Sequence, residues 1–213
     1  MDQYEQFWHD GFMVLDTGLS EKTIDHLIKN VKPFWQDKKP HGSGYHDSNR
    51  VQDAWYSVPE VKQVATHPLI VDTLRKLYGR TPLPFQTLNF KKGTGQRPHA
   101  DSIHFNSEPF GLMCGVWVAL EDVSVDQGPL VYYPGSQQLG EINFEDAQLD
   151  ADYKYYPQYE DYIESVIKLH NYTPQYGIVK KGQAIIWSAN ILHGGAPQIK
   201  SELTRYSQVT HYL

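Results

Sequence analysis

The sequence predicts an α+β fold in which N-terminal helices flank a double-sheet barrel or jelly roll. Helical patterns come first and end near Gly79, and short strand-like runs separated by Gly, Pro and Asp turns fill the rest. Fifteen tyrosines and five tryptophans suit such a framework, because aromatic side chains pack well on pleated surfaces. No internal repeat or linker is visible, so we expect residues 1–213 to form a single domain.

The N-terminal part of the chain carries the helical signals. Residues 2–10 are compatible with a short helix, and residues 11–15 with a strand. Ser20 is a candidate N-cap for a helix that runs to about residue 31, with an apolar stripe made of Ile24, Leu27, Ile28 and Val31. Prolines open the next helical segments at Pro59 and Pro68.

Residues 32–56 are polar and rich in Gly, His, Asp and Lys, which predicts a long loop. Loops of this length are often lids or binding segments, and a solvated connector is an equal alternative. A helical insertion at residues 157–171 interrupts the β-rich part of the chain. The predicted strands occupy residues 84–92, 111–121, 130–133, 172–179, 183–188 and 203–212.

Composition excludes several classes of function. A net charge of −6 argues against nucleic acid as a partner, because binding to the phosphate backbone needs a basic face. The single cysteine, Cys114, excludes an internal disulfide framework and lies in an apolar run, so we expect a core residue rather than a nucleophile. The sequence shows no signal pattern at its start and no apolar run of membrane-spanning length, which predicts a cytoplasmic protein.

His99 and Asp101 are the most informative pair in the chain. Two positions apart on extended backbone, they point to the same face, because strand side chains alternate with period two. His193 follows much later, where an apolar strand is expected to end in a glycine turn. Two histidines and one carboxylate with open coordination positions are the pattern of non-haem Fe(II) oxygenases. A His-x-Asp pair alone is weak, since most such pairs are surface or hydrogen-bonded polar residues.

The last predicted strand carries a second polar pair, Arg205 and Ser207, which share a face. A planar guanidinium beside a hydroxyl is suited to binding a carboxylate through two parallel hydrogen bonds. The alternative is an exposed arginine on a strand. Trp117, in an apolar run, points away from Val116 and Val118 and could wall a cosubstrate cavity or simply fill the core.

Taken together in order, these motifs resemble the phytanoyl-CoA dioxygenase family of Fe(II)- and 2-oxoglutarate-dependent oxygenases. The resemblance covers most of the chain, from the segment after Asp10 to the strand that contains Arg205. Its specific parts are Pro98-His99-Ala100-Asp101, Trp117-Val118-Ala119-Leu120-Glu121-Asp122-Val123, Gln127-Gly128-Pro129-Leu130, Pro134-Gly135-Ser136, Lys181-Gly182-Gln183, Leu192-His193-Gly194 and Arg205-x-Ser207. The fold that this resemblance implies is a double-stranded β-helix with a cupin-like core.

The resemblance also implies roles for individual residues. The iron ligands would be His99, Asp101 and His193, and the cofactor set would be Fe(II) with 2-oxoglutarate and O2 as cosubstrates. Arg205 would pair with the distal carboxylate of 2-oxoglutarate, with Ser207 beside it. The residues expected to line the rest of the cosubstrate site are Trp117, Gln86 and Leu88.

Two positions depart from the family pattern. His104 stands where the family often has an aromatic residue, and it could face the substrate or support a ligand. Its odd spacing from Asp101 places it on the opposite strand face unless the backbone turns. Gln137 replaces a common histidine, with an expected structural effect only. Asn190, Trp187 and His211 are possible pocket residues, with Asn190 a second candidate substrate contact, and packing or hydrogen-bond support is the favoured interpretation for all three.

The activity implied by the resemblance is hydroxylation coupled to conversion of 2-oxoglutarate to succinate and carbon dioxide. Related halogenases lack the carboxylate ligand, so the presence of Asp101 favours a hydroxylase. A non-catalytic metal- or ligand-binding module on the same barrel is the alternative, although a complete ligand set with Arg205 argues against it. A zinc hydrolase with the same ligands is a third hypothesis, but it would not need Arg205 or Trp117.

The sequence constrains the substrate only loosely. No basic cluster stands out for the phosphates of CoA, so an acyl-CoA thioester is disfavoured. The polar loop at residues 41–53 and the tyrosine-rich segment at residues 153–162 are candidate covers for the pocket. Polar aromatic walls would suit a small polar metabolite. The sequence leaves the oligomeric state undetermined.

Overall fold

The computed structural model describes residues 2–36, 49–105 and 107–213. Within them the helices are α1 (Gln3–Asp10), α2 (Glu21–Gln36), α3 (Pro59–Ala65), α4 (Pro68–Tyr78) and α5 (Tyr156–Leu169). The strands are β1 (Phe12–Asp16), β2 (Arg50–Gln52), β3 (Pro84–Phe90), β4 (Cys114–Ala119), β5 (Leu130–Tyr132), β6 (Gln175–Tyr176), β7 (Gln183–Ser188), β8 (His193–Gly195) and β9 (Ser207–Tyr212). Four helices therefore flank a strand-rich body, and α5 is the helical insertion that the sequence predicts.

The strands form two antiparallel sheets. The larger sheet has the order β1-β7-β4-β9-β3-β2, and the smaller has the order β6-β5-β8. Consecutive strands are seldom neighbours, so the chain crosses repeatedly between positions in the two sheets. This is the double-sheet architecture expected from the sequence.

Alternation along β4 explains how the larger sheet is covered on both faces. Val116 and Val118 belong to a core cluster shared with α1 to α4, whereas Trp117 and Ala119 belong to a second cluster with Leu130 of the smaller sheet. The period-two alternation of strand side chains produces this division. The predicted opposite orientation of Trp117 and its valine neighbours is confirmed, and Trp117 points into the barrel.

A third cluster lies beneath α5. Tyr159 and Ile163 of this helix pack with Leu192, which immediately precedes β8. The helix therefore covers the small sheet close to His193, the first residue of β8. In this way α5 packs beside the segment that carries His193.

The second helix is longer than predicted. Ser20 caps it as expected, accepting a hydrogen bond from the backbone N–H of Thr23 at 3.1 Å. The helix continues past residue 31 because Phe34 and Trp35 extend its apolar stripe, and the buried Trp35 donates its indole N–H to the carbonyl of Asn89. Packing of these aromatic residues outweighs the polar composition of the segment.

The prediction of one continuous loop at residues 32–56 is wrong. Its first residues belong to α2, and its end forms β2 and a short 3₁₀ turn at Ala54–Tyr56. β2 forms because Arg50, Val51 and Gln52 pair with the edge of β3. Residues 37–48, which include most of the segment proposed to cover the pocket, lie outside the described residues.

Three predicted strands are shorter in the structure by four residues or more. Residues 172–179 contribute only the two-residue β6, at an edge of the small sheet where Pro174 has no N–H to donate. The strand predicted at residues 111–121 spans Cys114–Ala119. β9 begins at Ser207, so Arg205 lies just before the strand, with its backbone N–H bonded to the carbonyl of Lys91.

Among the described residues, no helix is long and apolar enough to cross a membrane.

Candidate metal centre and cosubstrate pocket

Three side chains converge at the mouth of the barrel. The backbones of His99 and His193 form an isolated β-bridge, with two N–H···O bonds of 2.9 Å. This bridge places the Nε2 atoms of the two histidines 3.7 and 3.6 Å from Oδ1 of Asp101. The three potential ligand atoms all lie within 4.8 Å of one another, and all three residues are buried. The structure therefore brings together the three residues predicted as iron ligands.

The local backbone differs from the simple strand that the spacing suggests. His99 is in extended conformation, but Asp101 begins a 3₁₀ turn at Asp101–Ile103. The one residue between them, Ala100, has φ −108° and ψ 138°, so the two side chains still reach the same side. His193 likewise begins β8, whereas the sequence predicts that it ends a strand.

The glycines after His193 allow the chain to approach the metal-binding segment closely. A Cβ on Gly194 would lie 2.6 Å from the carbonyl oxygen of Gln96, and one on Gly195 would lie 2.8 Å from Oγ1 of Thr94. Any larger residue would push β8 away from the segment that carries His99. The Gly-Gly pair thus keeps the two histidines within reach of each other.

Both histidines are oriented by backbone carbonyls. Nδ1 of His99 lies 2.9 Å from the carbonyl oxygen of Arg97, and Nδ1 of His193 lies 3.0 Å from that of Ile191. A carbonyl only accepts, so each Nδ1 carries a proton and each Nε2 turns its lone pair towards the cluster. Burial lowers the pKa of His193 to about 4, which favours the neutral imidazole that binds a metal. Burial acts in the same direction on His99, but Asp101 and the carbonyl of Arg97 outweigh it and raise the pKa of His99.

Asp101 is held by two residues that the sequence left between several roles. The indole N–H of Trp187 donates to Oδ2 at 2.9 Å, and Nε2 of His211 lies 3.5 Å from the same oxygen. Burial works to raise the pKa of Asp101, but the surrounding histidines hold that pKa well below its usual value. Asp101 is therefore an ionised ligand whose Oδ1 faces His99 and His193.

Arg205 lies in the same cavity as these ligands. Its side chain is only 3% exposed, and its guanidinium carbon lies 5.6 Å from the centre of the Trp117 ring. One Nη donates to the carbonyl oxygen of Gly128 at 2.8 Å. Among the described residues Arg205 has no carboxylate in ion-pair distance, and its Nε has no hydrogen-bond partner.

Ser207 and Trp117 provide further buried polar atoms without partners. Within the described part of the chain, neither the hydroxyl of Ser207 nor the indole N–H of Trp117 has a hydrogen-bond partner. Such atoms are costly to bury, and their presence indicates a place for a polar ligand. Trp117 lines the cavity, whereas Ser207 is fully buried beside β4 and is not among the lining residues.

β3 supplies one wall of the cavity. Gln86, Leu88 and Phe90 all line it, as their shared face on the strand predicts. Oε1 of Gln86 lies 2.9 Å from Nδ1 of His211, so Gln86 also orients the histidine that faces Asp101. Gln86 and Leu88 thus both border the cavity that Arg205 enters.

His104 lies on the metal side of the cavity, because the backbone turns after Asp101. Its ring centre lies 5.7 Å from that of His99, and it is not part of the three-residue metal cluster. Nδ1 and Nε2 of His104 lie 3.1 and 3.2 Å from the hydroxyls of Tyr153 and Tyr156. The 3₁₀ turn at Asp101–Ile103 is the reason that an odd spacing still reaches the site.

Asn190 has the hydrogen-bond support role that the sequence favours for it. Its amide donates to the carbonyl oxygens of Gln137 and Gly140, at 2.6 and 3.1 Å, and it is not among the residues that line the cavity. Asn190 fixes the turn that carries Gln137. The amide of Gln137 in turn donates to the carbonyls of Trp8 and His9, which ties this turn to α1.

The cavity has a volume of about 320 Å³. Ligand cavities in proteins are commonly of this size or larger. Arg205 and Trp117 lie in it together with the three potential metal ligands. Its other polar walls include Arg50, Gln52, Thr94 and Gln96.

The sequence model of the phytanoyl-CoA dioxygenase (PhyH) family matches residues 7–205. The match includes the metal cluster and Arg205. The chain belongs to the phytanoyl-CoA dioxygenase family. Membership confirms the resemblance drawn from the motifs.

Curated relatives are members of the same family. The cow "Phytanoyl-CoA dioxygenase domain-containing protein 1" is 30% identical over 97 residues, which are 43% of this chain and 33% of the relative. A zebrafish (Danio rerio) protein of the same name is 34% identical over 86 residues, or 38% of this chain and 30% of the relative. The aligned part thus spans about a third of these two relatives. A Caenorhabditis elegans homologue is 20% identical over 268 residues, covering 100% of this chain and 90% of the relative.

Solved structures show the same fold. EctD from S. alaskensis, crystallised with 2-oxoglutarate and 5-hydroxyectoine, has a TM-score of 0.78 at 18% identity, covering 99% of this chain and 74% of that one. The α-ketoglutarate-dependent epimerase SnoN from nogalamycin biosynthesis has a TM-score of 0.73 at 19% identity, covering 99% and 81%. The predicted double-stranded β-helix is confirmed by these similarities.

Trp187 and His211 have the hydrogen-bond support role that the sequence favours for them. The sequence does not show that the group they support is Asp101. Trp187 lies on β7 and His211 on β9, so only the sheet order brings them to the metal cluster. Their period-two register with Ile185 and Val209, which face the barrel interior, is the signal that could have found them.

Proposed function

We propose that this protein is an Fe(II)- and 2-oxoglutarate-dependent dioxygenase that hydroxylates a small polar metabolite and releases succinate and carbon dioxide. The observation that carries the proposal is the presence of two unlike features in one cavity. A buried cluster of two histidines and one aspartate faces a buried arginine that has no carboxylate partner among the described residues. A metal site alone would not need the arginine, and an arginine alone would not need the metal site.

The donor set fits ferrous iron. Two neutral imidazoles and one carboxylate leave several coordination positions for other ligands, and this combination is typical of non-haem Fe(II) oxygenases. Carbonyl oxygens fix both Nδ1 atoms, so His99 and His193 need little rearrangement to bind. The iron would supply the oxidation chemistry, with 2-oxoglutarate and O2 as cosubstrates.

Arg205 supports a dicarboxylate cosubstrate. Its guanidinium is buried against the Trp117 ring, which reduces its solvation and leaves hydrogen-bond donors for an incoming anion. The hydroxyl of Ser207 stands two residues further on, also without a partner among the described residues. Arg205 and Ser207 would bind the carboxylate of 2-oxoglutarate that is remote from the metal, as the family resemblance implies.

The remaining walls of the cavity would orient the cosubstrate and limit the entry of water. Leu88 and Phe90 of β3 form an apolar wall beside Trp117. Such a wall excludes water from the reacting centre, which strengthens the electrostatic interactions there. Gln86 lies on the same face of this strand and would border the keto-acid end of 2-oxoglutarate.

The lining of the cavity supports a small polar substrate. A volume of about 320 Å³ must accommodate both cosubstrate and substrate, which limits the size of the substrate. Beyond the cosubstrate region, the described walls carry the amide side chains of Gln52 and Gln96 and the hydroxyl of Thr94. These groups are suited to hydrogen bonds with hydroxyl or amide groups of a substrate.

The decisive experiment is an anaerobic titration. Fe(II) and 2-oxoglutarate are added to the metal-free protein, and the weak visible charge-transfer band of an iron-chelated 2-oxo acid is recorded. The proposal predicts a band that disappears when oxygen is admitted, with succinate as a product. Arg205→Ala and His193→Ala should each remove the band, whereas Arg75→Ala, at an exposed arginine that pairs with Asp72 on α4, should leave it unchanged.

The alternative result is equally clear. The oxygenase proposal fails if the wild-type protein gives no band and no succinate, and if neither Arg205→Ala nor His193→Ala changes the binding of Fe(II) or 2-oxoglutarate. A non-catalytic binding module on the same barrel would then be the better explanation.

A further inference from the structure

The carboxylate of Asp101 uses its two oxygens differently. Oδ1 lies 3.7 Å from Nε2 of His99 and 3.6 Å from Nε2 of His193. Oδ2 instead accepts a hydrogen bond of 2.9 Å from the indole N–H of Trp187, and Nε2 of His211 lies 3.5 Å from the same oxygen. The carboxylate therefore presents a single oxygen to the position where the two histidines converge.

Trp187 is well placed to fix this orientation. Its side chain is buried in the barrel interior, and its ring centre lies 5.0 Å from that of His193. The indole nitrogen has only one proton to donate, and Asp101 receives it. Because the indole is large and enclosed, it cannot swing away without disturbing the packing of its neighbours.

Gly115 makes room for this indole. The two residues are direct partners across β4 and β7, and a Cβ on Gly115 would lie 2.3 Å from two ring carbons of Trp187. That distance is far inside van der Waals contact, so any side chain at this position would displace the ring. Room for the indole thus explains why a glycine is the second residue of this fully buried strand.

We propose that Trp187, seated against Gly115, is a positioning residue that holds Asp101 as a single-oxygen metal ligand. The inference rests on the proposed metal-dependent function. With Oδ2 engaged by Trp187, Asp101 would occupy one coordination position rather than two. The remaining positions would stay available for the cosubstrates, and the carboxylate would need no reorganisation before it binds the metal.

Trp187→Phe tests this role, because it keeps an aromatic ring against His193 and removes the N–H donor. The matched control is Trp35→Phe, which removes another buried indole whose N–H donates to the carbonyl of Asn89 and not to a metal ligand. The readouts are Mn(II) affinity, measured by electron paramagnetic resonance, and the thermal unfolding of the metal-free protein.

We expect Trp187→Phe to weaken Mn(II) binding roughly 10–100-fold, as loss of a residue that orients a ligand usually does. Both variants should lower the melting temperature of the metal-free protein by a similar amount. Trp35→Phe should leave Mn(II) affinity unchanged. Equal Mn(II) affinity in wild type and Trp187→Phe overturns the inference, and so does an equal loss of affinity in both variants. If the wild type itself binds no divalent metal, the proposed function fails as well.

Gly115→Ala provides an independent variant. It should weaken Mn(II) binding through displacement of the indole, and the double variant with Trp187→Phe should lose no more affinity than Trp187→Phe alone. Additive losses would show that Gly115 does not act through Trp187. A crystal structure of the wild type with Mn(II) tests the geometry without any substitution: Asp101 should bind through Oδ1 alone, and binding through both oxygens contradicts the inference.

Discussion

The guanidinium of Arg205 lies over the ring of Trp117, with 5.6 Å between the guanidinium carbon and the ring centre. Burial lowers the pKa of Arg205 to about 10, and the charge of Glu121 opposes this shift only partly. The side chain stays cationic at neutral pH although no carboxylate in the described part of the chain pairs with it. A buried cation in this state is costly, and an anionic ligand would offset the cost.

Arg205→Lys should therefore weaken the binding of 2-oxoglutarate by about tenfold or more. Lysine keeps the charge but loses the planar fork that matches a carboxylate and the stacking on Trp117. Calorimetric titration of 2-oxoglutarate into the Mn(II)-loaded protein measures this change, with Arg75→Lys on α4 as the control. An unchanged affinity, or an equal loss in the control, would contradict the assigned role of Arg205.

Ser207→Ala should separate stability from ligand binding. The Ser207 hydroxyl is fully buried and has no partner among the described residues, so its removal should leave the melting temperature of the ligand-free protein unchanged or higher. The affinity for 2-oxoglutarate should fall several-fold if the hydroxyl binds the cosubstrate. The comparison variant is Ser136→Ala. The hydroxyl of Ser136 donates to the carbonyl of Tyr133, so this variant should be less stable than the wild type. A stability loss in Ser207→Ala with unaltered affinity would refute the prediction.

The sequence predicted the metal cluster better than its surroundings. The sequence reveals the three potential ligands because His99 and Asp101 stand two positions apart in one motif and His193 is followed by two glycines. The orientation of Asp101 cannot be predicted from the sequence, because Trp187 reaches Asp101 only through the pairing of β7 with β4. His104 was expected on the other face because a strand was assumed where the chain turns.

The same distinction applies to the fold. The predicted bounds of β7 are correct, since its local apolar pattern decides them. The sequence does not predict β2 and β8, because each of these three-residue strands depends on the strand edge with which it pairs. α2 was predicted too short because its last turn is stabilised by the packing of Trp35 and not by local propensity.

Cys114 should be unreactive in the native protein. The thiol is buried in the core that β4 shares with the helices, and burial raises its pKa to about 12. The thiolate that reacts with disulfide reagents is then almost absent at pH 8. We expect no reaction with Ellman's reagent under native conditions and one equivalent in guanidinium chloride. Rapid labelling of the folded protein would contradict the interpretation of Cys114 as a core residue.

Arg97→Ala should loosen α5. The guanidinium of Arg97 lies 2.6 Å from Asp161 and 2.9 Å from Glu164, both on this helix, and the carbonyl of the same residue orients His99. Because the pairs are partly exposed, we expect a loss of about 1 kcal/mol in the free energy of unfolding, which high salt should reduce. Hydrogen exchange should become faster in Tyr156–Leu169. The control is Lys180→Ala, which removes a single surface pair with Asp122, and an identical exchange pattern in both variants would exclude a specific role for Arg97.

His104→Phe should change which ligands the cavity accepts. The hydroxyl of Tyr153 donates to the carbonyl of Ile103, so it accepts from Nδ1 of His104, and Nε2 of His104 accepts from the hydroxyl of Tyr156. Burial lowers the pKa of His104 to about 4, so the imidazole is neutral and this pattern should persist across pH 6–8. Phenylalanine keeps the ring packing but leaves both hydroxyls without this partner.

In a thermal-shift screen of small metabolites, compounds with hydroxyl or amide groups that stabilise the wild type should stabilise His104→Phe less. Formation of succinate without substrate should stay within about twofold of wild type, because the positions that bind metal and 2-oxoglutarate are unaltered. His9→Phe is the matched control, since that imidazole is exposed and pairs with Asp10 on α1. A ligand profile identical to wild type would remove His104 from the substrate-binding wall, and a parallel loss of succinate formation would assign it to the metal site instead.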